Sequence, residues 1–127
     1  MTITDSARSI SEAALATGLS THTLRYYERA GLMLDPVDRA SSTHRRYSDA
    51  DIGWVAFLTK LRTTSMPIAR VREYVELVRR GDSTIEARYE LLKRHRESVV
   101  AQIEEMTRSL DVVDKKIATY QQKAGQR

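Results

Sequence analysis

The sequence predicts a mainly α-helical fold: a helix-turn-helix head with a small β-hairpin wing, followed by a long C-terminal helix. Three observations predict it. Two short helix-like stretches are joined by a turn that contains Gly18. A basic segment with no helical period follows them, and the last third of the 127-residue chain keeps one apolar repeat.

The elements follow in order. Ile10 to Thr17 reads as a first helix, with Ile10, Ala13 and Ala14 on one face. Gly18 tolerates the left-handed conformation that ends helices, so Gly18-Leu19-Ser20 reads as a tight turn. Ser20 then caps a second helix from Thr21 to Ala30. Two short helices joined by such a turn form the helix-turn-helix pattern. Residues 35–47 contain Pro36, two serines and Thr43 without a helical period, and are expected to form a loop with two short strands, Val37–Asp38 and Arg45–Tyr47. Ser48 followed by Asp51 marks the start of a third helix over about 49–62. That helix is apolar on two stripes (Ile52, Val55, Ala56, and Trp54, Phe57, Leu58, Leu61), which predicts a central place in the fold. Gly53 inside it should cost roughly 1 kcal/mol relative to Ala, a cost that close backbone approach would offset. Pro67 opens a fourth helix to about Arg80, with Val71, Tyr74, Val75 and Val78 at helical spacing.

The tail has a different pattern. Val99, Ile103, Met106, Leu110, Val113, Ile117 and Tyr120 alternate steps of four and three, seven matches to the coiled-coil period. Extended backward, the register gives Arg96, Leu92, Tyr89 and Ile85, so Arg96 interrupts the seam. A helix over 83–120 would be about 57 Å long at ~1.5 Å per residue. Such a stripe needs a second copy, or must fold back on the head. The expected division is therefore a head over 1–80 and a dimerisation helix with a short tail over 81–127.

Composition excludes several classes of function. With no cysteine there are no disulfides, thiolate metal sites, iron–sulfur clusters or cysteine nucleophile. The longest apolar run, Trp54 to Leu58, is far too short for a membrane span. A soluble, cytoplasmic protein is expected, with no membrane partner. His22, His44 and His95 match no metal spacing, and neither G-x-S-x-G, a P-loop nor G-x-G-x-x-G occurs. No enzyme, no metal and no cofactor are expected. The net charge of +4 is modest, but Arg39 to Tyr47 holds three arginines, one histidine and no acid. An anionic partner is plausible, and composition alone does not choose between DNA, RNA and a membrane surface.

On a helical wheel His22, Arg25, Tyr26 and Arg29 share one face of the second helix, and Leu24 and Tyr27 lie roughly opposite. Arginine and histidine offer donors to base edges and phosphates, and tyrosine packs on sugar and donates to phosphate. The plainer alternative is a solvated face on which Arg25 and Arg29 pair with Glu28 or Glu12. The basic wing has the composition to straddle a backbone or enter a minor groove, or it is a surface loop whose charges keep the protein soluble.

The segment Leu24-Arg-Tyr-Tyr-Glu-Arg-Ala-Gly-Leu32 resembles the signature of the MerR family of bacterial transcription regulators. Ile10-Ser-Glu-Ala-Ala, Thr17-Gly-Leu-Ser20, Arg45-Arg-Tyr-Ser48-Asp and Lys60-Leu-Arg62 stand in the same order. The likeness covers residues 10–80 closely and the tail in outline. It implies a winged helix-turn-helix head and a homodimer made by antiparallel coiled-coil packing of the C-terminal helices. It also implies sequence-specific binding to an inverted repeat in a bacterial promoter, with distortion of an over-long spacer to control RNA polymerase. Carried over by residue, the DNA contacts are Thr21, His22, Arg25, Tyr26 and Tyr27 on the recognition helix, Arg45 in the wing, and Arg62 at a phosphate. The wheel puts Tyr27 on the packing side, with only its hydroxyl near DNA. Thr43 and His44 stand where the family usually has glycine and tyrosine. His44 is therefore expected to make a contact that weakens above its pKa, near 6.5 when unperturbed. The family's thiolate metal sensors are excluded by the lack of cysteine. The effector, the operator and the choice between activation and repression stay open. The other reading is a coiled-coil protein-interaction adaptor with only nonspecific DNA affinity.

Overall fold

A computed structural model describes residues 7–34, 38–39 and 45–126. Its elements are α1 (Ile10–Thr17), α2 (Thr21–Arg29), β1 (Asp38–Arg39), β2 (Arg45–Arg46), α3 (Asp49–Thr63), α4 (Ile68–Arg79), a 3-10 turn (Asp82–Thr84) and α5 (Ile85–Gly125). Chain contacts divide it into two units, Met1–Arg88 and Tyr89–Arg127.

In the first unit, serines start three of the helices. Ser9 and Glu12 form a reciprocal capping box at α1, with the Ser9 N–H donating to Glu12 Oε1 at 2.8 Å and the Glu12 N–H to Ser9 Oγ at 3.2 Å. Ser20 Oγ accepts the Thr23 N–H at 3.1 Å, and Ser48 with Asp51 repeats the box at α3. Each cap satisfies amides that the first helical turn leaves without intrahelical partners. Gly18 at φ 73° ends α1, which leaves only Leu19 and Ser20 to turn the chain into α2.

The core of this unit is assembled from one stripe of each helix. Ala13 comes from α1, Leu24 and Tyr27 from α2, Val55, Leu58 and Leu61 from α3, and Val71 and Val75 from α4. The steps of three and four bring these positions to one face. Tyr47 is fully buried. Its backbone exchanges two 2.8 Å hydrogen bonds with Arg8 in an isolated antiparallel bridge, and the Arg8 guanidinium pairs with Asp49 at the start of α3. The segment before α1 is thereby tied to the end of β2.

Three expectations change. The strands pair antiparallel as Asp38 with Arg46 and Arg39 with Arg45, and Val37 lies outside the described residues. α3 is not buried all round: Val55, Leu58 and Leu61 face the core, whereas Phe57 is 38% exposed and Ala56 is exposed. Trp54 and Phe57 of the second stripe are covered only in part, by Tyr74 of α4. Nor does Gly53 permit a close approach, because a Cβ there would meet nothing within 4 Å among the described residues.

The second unit is the body of α5, a helix of 41 residues in all and about 60 Å long at ~1.5 Å per residue. None of its residues is buried. Ile103, Met106, Leu110, Val113, Ile117 and Tyr120 are between 53% and 73% exposed, and Val99 is half-buried. Ion pairs Arg108–Glu105 (2.7 Å) and Lys115–Asp111 (3.0 Å) join neighbouring turns, as pairs at this spacing do on helix surfaces. Among the described residues no helix is long and apolar enough to cross a membrane.

Candidate nucleic-acid interface

α2 is amphipathic, and its packing decides what it presents outward. Leu24 and Tyr27 turn into the core. Arg25, Arg29, His22 and Tyr26 are exposed, and Thr21 is half-buried in the first turn. Tyr26 and Tyr27 meet edge to face, with ring centroids 6.3 Å apart, so the buried ring supports the exposed one.

The two arginines of this face make no hydrogen bond or ion pair among the described residues. The acids that could have neutralised them are engaged elsewhere. Glu12 accepts from the Ser9 N–H, a hydrogen bond that holds its carboxyl below the ordinary value of 4.5. Glu28 Oε2 accepts from the Tyr47 hydroxyl at 3.4 Å. A guanidinium held on a rigid helix with no internal acceptor keeps its planar fork of donors for an external anion.

Tyr27 is placed differently from its neighbours. It is 6% exposed, and its hydroxyl lies 3.4 Å from Thr59 Oγ1. The Thr59 hydroxyl donates to the Val55 carbonyl at 2.8 Å, so in this contact the tyrosine is the donor. Arg62 is exposed, yet its Nη1 donates to the Met66 carbonyl at 2.7 Å. It braces the α3–α4 turn, where Ser65 takes a left-handed φ of 74°. Arg45 lies in β2, paired through its backbone with Arg39. His44 lies outside the described residues.

Three aromatic rings gather between α3 and α4. Trp54 stacks on Tyr74 with centroids 5.9 Å apart and planes at 16°, and Phe57 lies 5.6 Å from the same ring. Burial pushes the Tyr74 phenol above its usual value of 10.0. Trp54 Nε1 donates to the Leu32 carbonyl at 2.7 Å. Arg79 Nη2 donates to the Gly31 carbonyl at 2.7 Å and also to that of Met33. Sequence reasoning missed these tethers, because partners more than twenty residues apart leave no periodic signal.

An open groove of about 510 Å³, lined by Ser11, Ala14, Leu15, Gly18, Leu19 and Thr21, offers two hydroxyls and no ionisable side chain. That lining gives general acid–base chemistry nothing to work with.

A family model described as MerR HTH family regulatory protein matches residues 8–77. The chain belongs to the MerR family. A second model, described as MerR, DNA binding, matches residues 52–116 of this MerR protein. An uncharacterized HTH-type transcriptional regulator of Haemophilus influenzae is 37% identical over 110 residues, 87% of this chain and 81% of its own length. The HTH-type transcriptional regulator AdhR of Bacillus subtilis is 40% identical over 91 residues, 72% of this chain and 64% of AdhR. Among solved structures, HiNmlR, a MerR family regulator lacking the sensor domain and bound to promoter DNA, superposes with a TM-score of 0.85. It is 35% identical, over 91% of this chain and 86% of that one. By name these relatives are regulators, two of them of transcription and one bound to promoter DNA.

Proposed function

We propose that this MerR protein is a cytoplasmic, sequence-specific regulator that binds an inverted repeat in a bacterial promoter as a homodimer. The observation that carries the reading is the outward face of α2, where Arg25 and Arg29, beside His22 and Tyr26, have no internal acceptor among the described residues. Placed in a major groove, such a face supplies donors to base edges from the helix and to phosphates from its flanks. The likeness to HiNmlR, which is bound to promoter DNA, supports the same use here.

Thr21, His22, Arg25 and Tyr26 are assigned to the groove. Tyr27 reaches DNA only through its hydroxyl, while Arg45 and His44 serve the wing and Arg62 a backbone phosphate. Residues 1–80 form the DNA-binding head and 81–127 the dimerisation helix. The Val99–Tyr120 seam packs antiparallel against its copy, because seven apolar positions at this spacing are best covered by an identical stripe. A two-fold dimer requires two-fold operator halves. With two heads fixed at one separation, an over-long promoter spacer is bound only if it is twisted or bent. RNA polymerase at the same promoter reads that distortion.

Selection of binding sites from a pool of random duplexes, followed by sequencing, tests the reading without knowledge of the operator. Enrichment of an inverted repeat is the expected result. A pool that stays random after several rounds would replace the regulator by the adaptor reading.

A further inference from the structure

We propose that Trp54 and Arg79 are positioning residues for DNA recognition: together they clamp the segment that leaves the recognition helix. α2 ends at Arg29, and Gly31 takes the left-handed conformation with φ 72°. The helix end is already closed by backbone bonds, Gly31 N–H to the Glu28 carbonyl at 3.2 Å and Leu32 N–H to the Tyr27 carbonyl at 2.9 Å. Three successive carbonyls then follow, and all three accept from side chains. Arg79 of α4 takes those of Gly31 and Met33, and Trp54 of α3 takes that of Leu32 between them.

Terminating α2 does not require this arrangement, since glycine and two backbone bonds accomplish that. The clamp instead fixes where the chain goes next, towards β1. Both of its side chains bear on α4. The Trp54 ring stacks on Tyr74, which lies on α4 with Arg79, and Glu76 lies 3.7 Å from the Arg79 guanidinium. A shift of α4 against α3 therefore reaches the end of α2 through two polar contacts. Base readout depends on placing side chains to within a fraction of an ångström, so loosening the clamp degrades discrimination between sequences more than overall attraction to DNA.

This inference rests on the regulator reading, and its test separates the two. Trp54→Phe keeps an aromatic ring for Tyr74 but removes the indole donor, with no change of charge. Arg79→Ala removes the other arm. Each variant and the wild type are titrated on the selected repeat and on a scrambled duplex, with dimer mass and helical circular dichroism as controls. Both variants are expected to lose about tenfold of the preference for the repeat, the order of one spoiled base contact. Trp54→Phe should leave the slope of affinity against salt unchanged, since no phosphate contact is lost. Trp54 is the chain's single tryptophan, so its indole N–H gives one resonance, and Arg79→Ala should speed its exchange with solvent.

A variant that melts earlier yet keeps the wild-type preference would make the clamp a stabilising feature only and overturn the proposal. Unchanged indole exchange in Arg79→Ala would overturn the linkage of its two arms. Should Arg79→Ala fail to fold, Trp54→Phe decides alone. A wild type with no preference between the duplexes defeats the regulator reading and the clamp's role with it. That outcome is distinct from a discriminating wild type matched by its variants.

Discussion

Arg25 and Arg29 are poised for an external ligand because of where their neighbours are. Glu12 caps α1 and Glu28 accepts from Tyr47, and among the described residues neither arginine, one turn apart on the helix, makes an ion pair. Arg25→Ala is expected to cost about 1–3 kcal/mol of binding to the operator, the range for a base or charged contact, with little change in thermal stability. Anisotropy titrations of both proteins check it, and equal affinities would remove Arg25 from the interface. The wheel drawn from the sequence placed these side chains and Leu24 correctly, because amphipathic period is a local property. It could not show that Arg62 would spend a donor on Met66. That bond depends on how the α3–α4 turn closes, and several turn geometries fit the same residues.

Capping serines were legible at Ser20 and Ser48, whereas the Ser9–Glu12 box at α1 went unread. The connections between elements were not. The Trp54–Leu32 bond spans 22 positions, Arg8–Asp49 spans 41 and Arg79–Gly31 spans 48. Each is set by the final packing of helices and not by any local preference. The role expected of Gly53 failed for a related reason, since a glycine in a helix signals a close neighbour only if packing supplies one. Its open surroundings make Gly53→Ala stabilising by about 1 kcal/mol, the difference in helix propensity. Urea denaturation at matched chain concentration reads this, and a destabilised variant would mean that something covers Gly53 in the assembled protein. On α5 the exposed seam carries the opposite demand. Leu110 is 58% exposed at the middle of the repeat, so Leu110→Asp places a charge in the predicted contact and should yield monomers in sedimentation. A dimeric mass for that variant would show the seam to be drawn wrongly.

For the molecule as a whole, the arrangement suits the DNA-binding dimer proposed above. A head of four helices and a strand pair presents one basic helix face, and the long α5 carries an exposed apolar seam that the proposed dimer would cover. The net charge of +4 is too small for indiscriminate polycation binding. Affinity therefore depends on a limited set of arginine contacts, and it should fall steeply as salt replaces the counterions they release. Charge alone attracts the protein to any duplex; in the proposed dimer, discrimination comes from two correctly spaced recognition helices. The decisive measurement is anisotropy at physiological salt on the selected inverted repeat and on its scrambled counterpart. A preference of about 10³-fold or more is the result for a specific regulator. Affinities within a few fold of one another would contradict the account, leaving a basic coiled-coil protein whose partner is something other than a DNA sequence.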